Sequence, residues 1–147
     1  DHGFMPVVVI AKEPAEYDKW ISERQAVQEK AAAEEQRLLA MNMSKDELMS
    51  NGQKIYTANC AACHMPNGEG LPGVFPALKG SDIALNDMAA HIEIVANGKS
   101  GTAMAAFAKQ LSMSELAAVI TFERNAWGND TGDLVQAKDI NAALNGQ

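Results

Sequence analysis

The chain has 147 residues, 47% of them hydrophobic and 21% charged, with a formal net charge of −7. That length suits one ordinary domain with appendages, and that balance of apolar to charged residues excludes collagen-like, mucin-like and wholly disordered classes. The acidity, −3 over residues 1–43, zero over 44–80 and −4 over 81–147, argues against nucleic acid as a partner, and no apolar run approaches the roughly 20 residues that span a bilayer.

In chain order, "MPVVVIAK" at 5–12 comes first. Its three consecutive valines and an isoleucine are β-branched and favour a strand, but a strand needs partners and the following sequence supplies none. Residues 14–41 are rich in Ala, Glu, Gln, Lys and Leu and read as helix. Within them Tyr17, Trp20 with Ile21, Val27, Ala31 and Leu38 recur at near-heptad spacing. The stripe fades after Ile21, so the first turns are expected to pack on something and "EKAAAEEQR" to be a semi-rigid spacer. At Ser44, "SKDE" is a capping box opening a helix to about Ala58, with apolar Leu48, Ile55 and Tyr56.

"PNGEGLPGVFPALKG", residues 66–80, is too rich in Gly and Pro for helix or strand. A third helix over 87–96 has Asn86 as its expected N-cap and ends at Asn97-Gly98. The loop "GKSGTAMAAFAKQL" follows. A second capping box, "SMSE" at 112–115, opens the helix "ELAAVITFERNA", and one more short helix is expected near 137–144. From residue 44 onward the chain reads all-α, without internal repeats. It has no initiating Met, charged n-region or cleavable apolar segment, which is what a mature or truncated piece would look like.

Both cysteines of the chain lie beside a histidine, in Cys60-Ala61-Ala62-Cys63-His64. This is the C-x-x-C-H pattern of covalent haem c attachment. Two intervening residues let both sulfurs reach the two vinyl groups of one porphyrin, and the adjacent imidazole falls beneath the iron. A dithiol redox centre, half a zinc site or a local disulfide uses the same cysteine pair. Each fits less well: no βαβ setting surrounds the motif, and His2 and His91 are remote in sequence. The apolar residues Leu71, Val74, Phe75 and Leu78 of the irregular loop would wrap the porphyrin disc. A proximal imidazole normally donates its second N–H to a backbone carbonyl, for which Pro76 is the candidate.

Of the eight methionines, Met104 is the candidate sixth ligand. It stands forty residues after His64, in the loop "NGKSGTAMAAF" between two helices, and a thioether there would favour ferrous iron. Met65 is on the wrong face, and the remaining methionines read as core filler. His91 lies in an ordinary helix and reads as a core or surface residue. An iron left without the methionine would bind small ligands or peroxide, as in a haem enzyme.

Residues 44 to about 127 resemble class I cytochromes c. The resemblance rests on Gly52, Tyr56 and Cys60 in a "G-x-x-x-Y-x-x-x-C" helix, the CAACH site, Pro76 and Leu78 in a "P-x-L" step, the methionine loop, and a closing helix with Phe122. It implies the all-α class I cytochrome c fold, Gly52 packed near Phe122, and the Pro76 carbonyl holding His64. "DHGFMPVVV" with "PAEYDKWI" is similar to the end of cytochrome c oxidase subunit II, as fused to a cytochrome c domain in caa3-type oxidases. That second resemblance implies His2 and Met5 as ligands of a binuclear copper centre, CuA, whose cysteines would precede Asp1.

On that basis residues 1–12 would be the strand remnant of a cupredoxin domain, 13–43 a helical linker and 44–147 the cytochrome domain. Electrons would pass from a soluble donor such as a small cytochrome to CuA. The oxidase catalytic subunit I would be a partner, and the assembly would sit on the periplasmic face of a bacterial inner membrane. The alternative is a free-standing monohaem cytochrome serving another reductase or dehydrogenase.

Overall fold

The structure, a computed structural model, describes residues 9–146, with the side chain of Glu35 set aside. His2 and Met5, the copper-ligand candidates, lie outside the described residues. So does most of the strand expected over 5–12; the part that is described, Val9–Lys12, forms no strand, as a single extended segment without a partner would not.

The chain divides into two compact units, Asp1–Gln36 and Arg37–Gln147. The described part of the first is dominated by α1 (Pro14–Ala40), a 27-residue helix about 40 Å long at 1.5 Å per residue. Pro14 opens it, where a missing N–H costs nothing. The expectation that its first turns are packed is corrected here: Tyr17 and Trp20 are largely exposed. They stack on each other at 6.0 Å between ring centroids, and the Arg24 guanidinium sits 5.6 Å from the Trp20 ring. The helix gives Tyr17 and Trp20 only partial cover from its own neighbours.

The second unit contains α2 (Lys45–Asn59), α3 (Ala61–His64), α4 (Asp82–Asn86), α5 (Met88–Asn97), α6 (Met113–Asn125) and α7 (Ala137–Asn145). Among the described residues there is no β-strand, only two isolated bridges, Leu71 with Phe75 and Trp127 with Asn129. Both capping boxes form: Ser44 with Glu47 and Ser112 with Glu115 each satisfy one another's backbone donors. Asp87, rather than Asn86, caps α5, accepting from the Ala90 N–H at 2.9 Å. The preceding residues were free to form α4, a short helix capped by Ser81.

The core is built where α2 crosses α6. Tyr56, Leu116, Val119, Ile120 and Phe122 are buried there, with Ile92 and Val95 from α5 and Val135 and Ile140 from the tail. The crossing is close because Gly52 has no side chain: a Cβ there would lie 2.6 Å from Phe122 Cβ and would strike the Ala118 carbonyl. This arrangement, helices wrapped around one end of a crossed pair with long irregular loops, is the class I cytochrome c fold.

Candidate functional site

Cys60, Cys63 and His64 occupy a single helical turn. Cys60 ends α2 with its N–H on the Tyr56 carbonyl and begins α3, where its own carbonyl accepts from both the Cys63 and His64 N–H groups, at 3.1 and 2.9 Å. Neither cysteine is in a disulfide and both are half-buried. Burial pushes the Cys60 thiol well above its ordinary 9.0, and the buried Glu123 carboxylate adds to the shift through its charge and a hydrogen bond. A thiol held protonated in this way lacks the thiolate character of a redox-active dithiol.

His64 is buried and its Nδ1 lies 2.9 Å from the Pro76 carbonyl oxygen. A carbonyl only accepts, so Nδ1 carries the hydrogen and Nε2 keeps a free lone pair, the tautomer a metal ligand requires. The loop between these partners is drawn over the imidazole by its own backbone. The Gly70 N–H donates to the His64 carbonyl at 2.9 Å, and those of Leu78 and Lys79 donate to Gly68 at 2.8 and 3.0 Å. Gly70 is required at its turn: its φ is +62°, and a Cβ would lie 2.6 Å from the Pro76 oxygen.

Met104 is half-buried at the margin of the core that also holds Cys60, Ala61, Leu78, Phe107 and Leu111. Its loop is tied by hydrogen bonds. The Lys99 N–H donates to the Met104 carbonyl at 3.2 Å, Met104 N–H to Thr102 Oγ1 at 3.2 Å, and Phe107 N–H to Val95 at 3.2 Å. Gly98 allows the loop to pass backbone against backbone, since a Cβ there would lie 2.7 Å from the Met104 oxygen.

Sequence reasoning missed two features. His91 and Glu123 are both buried and meet at 2.8 Å, linking α5 to α6 next to Cys60. Trp127, with left-handed backbone at φ 59°, packs at a tilt on Tyr56 at 4.7 Å and edge-to-face on Phe122 at 5.2 Å between ring centroids. Its indole N–H donates to the Pro66 carbonyl at 3.1 Å. A tryptophan just after a buried helix was the available signal, but its partner stands 61 residues earlier.

The donor set fits a covalently attached haem: two free thiols one turn apart, an adjacent imidazole with the correct nitrogen free, and half-buried apolar side chains around them. The comparisons agree. The family model for cytochrome C oxidase, cbb3-type, subunit III, matches residues 47–122, just over half of the chain. The chain is 36% identical to the cytochrome c subunit of alcohol dehydrogenase (quinone) from Gluconobacter oxydans, over 60% of this chain and 21% of that protein. It is 36% identical to cytochrome c-552 of Thermus thermophilus, over 54% of this chain and 70% of that protein. It is 29% identical to the gluconate 2-dehydrogenase cytochrome c subunit of Pantoea cypripedii, over 69% and 26%. The chain thus spans about a fifth of the alcohol dehydrogenase subunit that it matches.

These relatives correct the resemblance to caa3-type oxidase subunit II. They are cytochrome c subunits of dehydrogenases and small cytochromes, and the family match begins at residue 47, beyond the H-x-x-M pair on which the copper reading stood. The pattern that carried real information, glycine and tyrosine leading to C-x-x-C-H, is common to cytochrome c domains whatever they are joined to. A CuA centre ligated by His2 and Met5, and oxidase subunit I as partner, are therefore withdrawn. Among the described residues, no helix is long and apolar enough to cross a membrane.

Proposed function

This chain belongs to the cytochrome c family described as cytochrome C oxidase, cbb3-type, subunit III, and on that premise we propose that it is a single-haem electron carrier serving a dehydrogenase. When bound, haem c supplies a reversible one-electron ferric/ferrous couple. Cys60 and Cys63 would hold it as thioethers, and His64 through Nε2 and Met104 through its thioether would be the ligands to its iron. Residues 44–147 form the carrier domain, and residues 13–43 the helical segment before it. The domain works on the periplasmic side, where thioether attachment takes place.

The observation that carries this reading is the His64–Pro76 hydrogen bond at 2.9 Å, beside two thiols that form no disulfide. It orients the imidazole and raises its basicity as a metal ligand. The Met104 thioether, a soft donor, would raise the potential relative to a nitrogen or oxygen ligand. The dehydrogenase as electron source is supported by the names of the relatives, which are cytochrome c subunits of alcohol and gluconate dehydrogenases.

Expression with a cytochrome c maturation system, followed by potentiometry, tests the assignment. Met104→Ala should keep the covalent haem, lower the potential and let azide or imidazole bind; an unchanged potential rejects Met104. Reduction of the protein by alcohol or gluconate dehydrogenase with its substrate is the expected outcome for the partner. If neither enzyme reduces it, the dehydrogenase reading falls while the carrier remains.

A further inference from the structure

Three residues just after α6 grip both ends of the loop that carries Pro76. At the front, the Trp127 ring lies over Gly68, where an added Cβ would lie 2.6 Å from Trp127 Cζ3, and the indole N–H donates to the Pro66 carbonyl at 3.1 Å. At the back, the buried Asn129 side chain accepts from the Gly80 N–H at 2.8 Å and donates to the Leu78 carbonyl at 3.1 Å and to the Glu123 carbonyl at 2.7 Å. Gly128 joins the two with φ 97°. Between these anchors lie the Pro76 carbonyl and its bond to His64 Nδ1.

The strain of the unit collects at the same corner. Met65 and Trp127 are the two described non-glycine residues with positive φ, at 63° and 59°, a region that bulky side chains avoid unless surrounding contacts impose it. Tyr56 Oη donates to the Met65 carbonyl at 2.6 Å and packs its ring on Trp127 at 4.7 Å. The residue after the proximal histidine is thus fixed from α2, and the residues after that from the tail. The tail segment lies outside the family-matched residues 47–122.

We propose that Trp127-Gly128-Asn129 is a clasp that positions the proximal histidine, holding the 66–80 loop so that Pro76 keeps its hydrogen bond to His64 Nδ1. The inference rests on His64 being the proximal ligand. A firm N–H donation to a carbonyl raises the basicity of the imidazole and favours ferric iron. Loosening the clasp therefore weakens that bond and moves the potential upward. Trp127 and Asn129 are positioning residues, acting through Pro76 and His64.

The test compares haem-loaded Trp127→Phe, Asn129→Ala and Thr121→Val. Thr121 holds the same tail further on, its Oγ1 bonding both the N–H and the carbonyl of Val135, so its loss destabilises the tail without touching the loop. In the ferrous state, exchange of the His64 ring N–H with solvent should quicken about threefold in Trp127→Phe, which loses one hydrogen bond, and about tenfold in Asn129→Ala, which loses three. The potential should rise in both, with Thr121→Val at wild-type values for both readouts. Ring exchange or potential unchanged in the two clasp variants, or shifted equally in Thr121→Val, overturns the clasp. If Asn129→Ala does not fold, Trp127→Phe against Thr121→Val decides alone. A chain that holds no haem would instead defeat the proximal-ligand reading, and ring exchange in the haem-free protein would still report on the clasp.

Discussion

Gly52 is required by distance rather than by backbone angle. Alanine there would gain about 1 kcal/mol of helix propensity, yet its Cβ would meet the Ala118 carbonyl and Phe122 Cβ, backbone and near-backbone atoms that cannot rotate away. Overpacking of this kind costs about 1–3 kcal/mol, so Gly52→Ala should lower the denaturation midpoint despite the better helix former. Glu123→Ala should be worse, about 2–4 kcal/mol by chemical denaturation, because it strips a buried histidine of its 2.8 Å partner. The cysteines and His64 were legible in the sequence because they are neighbours. His91 with Glu123, and Trp127 with Pro66, were not: each pair is chosen by how α5, α6 and the tail pack, and local pattern carries no record of that.

At the scale of elements, the signals that could be read were those confined to four residues. Both capping boxes form at the serines that announce them. The short helix α4 lies between the loop at 66–80 and the third helix, in residues to which no element was assigned, and α5 shifted its cap by one residue to Asp87. The apolar stripe of α1 suggested packing, whereas its aromatic residues stack within the helix. The α2 cap also sets a pH dependence. Hydrogen bonds from the Ser44 hydroxyl and backbone N–H hold the Glu47 carboxyl below its ordinary 4.5. A lowered folded value means that the stabilisation is fully present above pH 4.5 and is lost as pH falls below it. Amide protection factors in the first turn of α2, corrected for the intrinsic pH dependence of exchange, should fall on acidification through that range, and Ser44→Ala should reduce the drop; a drop undiminished by the substitution would remove the cap as its cause.

Over the whole molecule, the α2–α6 crossing is a self-sufficient core of buried side chains, whereas Leu78, Met104, Phe107 and Leu111 are only half-buried at its edge. These residues line the position proposed for the porphyrin, and a large apolar disc would complete their burial. A Cys60→Ala, Cys63→Ala double variant should therefore retain amide protection in α2, α5 and α6 and lose it in the loops at 66–80 and 98–111. Uniform protection in the haem-free protein would show that the loops need no such partner. The fold class was readable from residue 44 onward because helix signals and a C-x-x-C-H motif agree there. What the domain is joined to was not readable, because a domain of this kind carries no local record of it, and the expected oxidase subunit II fusion was overturned by the relatives.

The central claim is a porphyrin bonded to Cys60 and Cys63. It is tested most directly by maturing the protein in a cytochrome c system, unfolding it in acid and acetone, and recording the absorption of the precipitated polypeptide. The account predicts that the colour stays with the polypeptide and gives the pyridine haemochrome spectrum of two saturated thioether links. Pigment extracted into the solvent, or no Soret band at any stage, would contradict it.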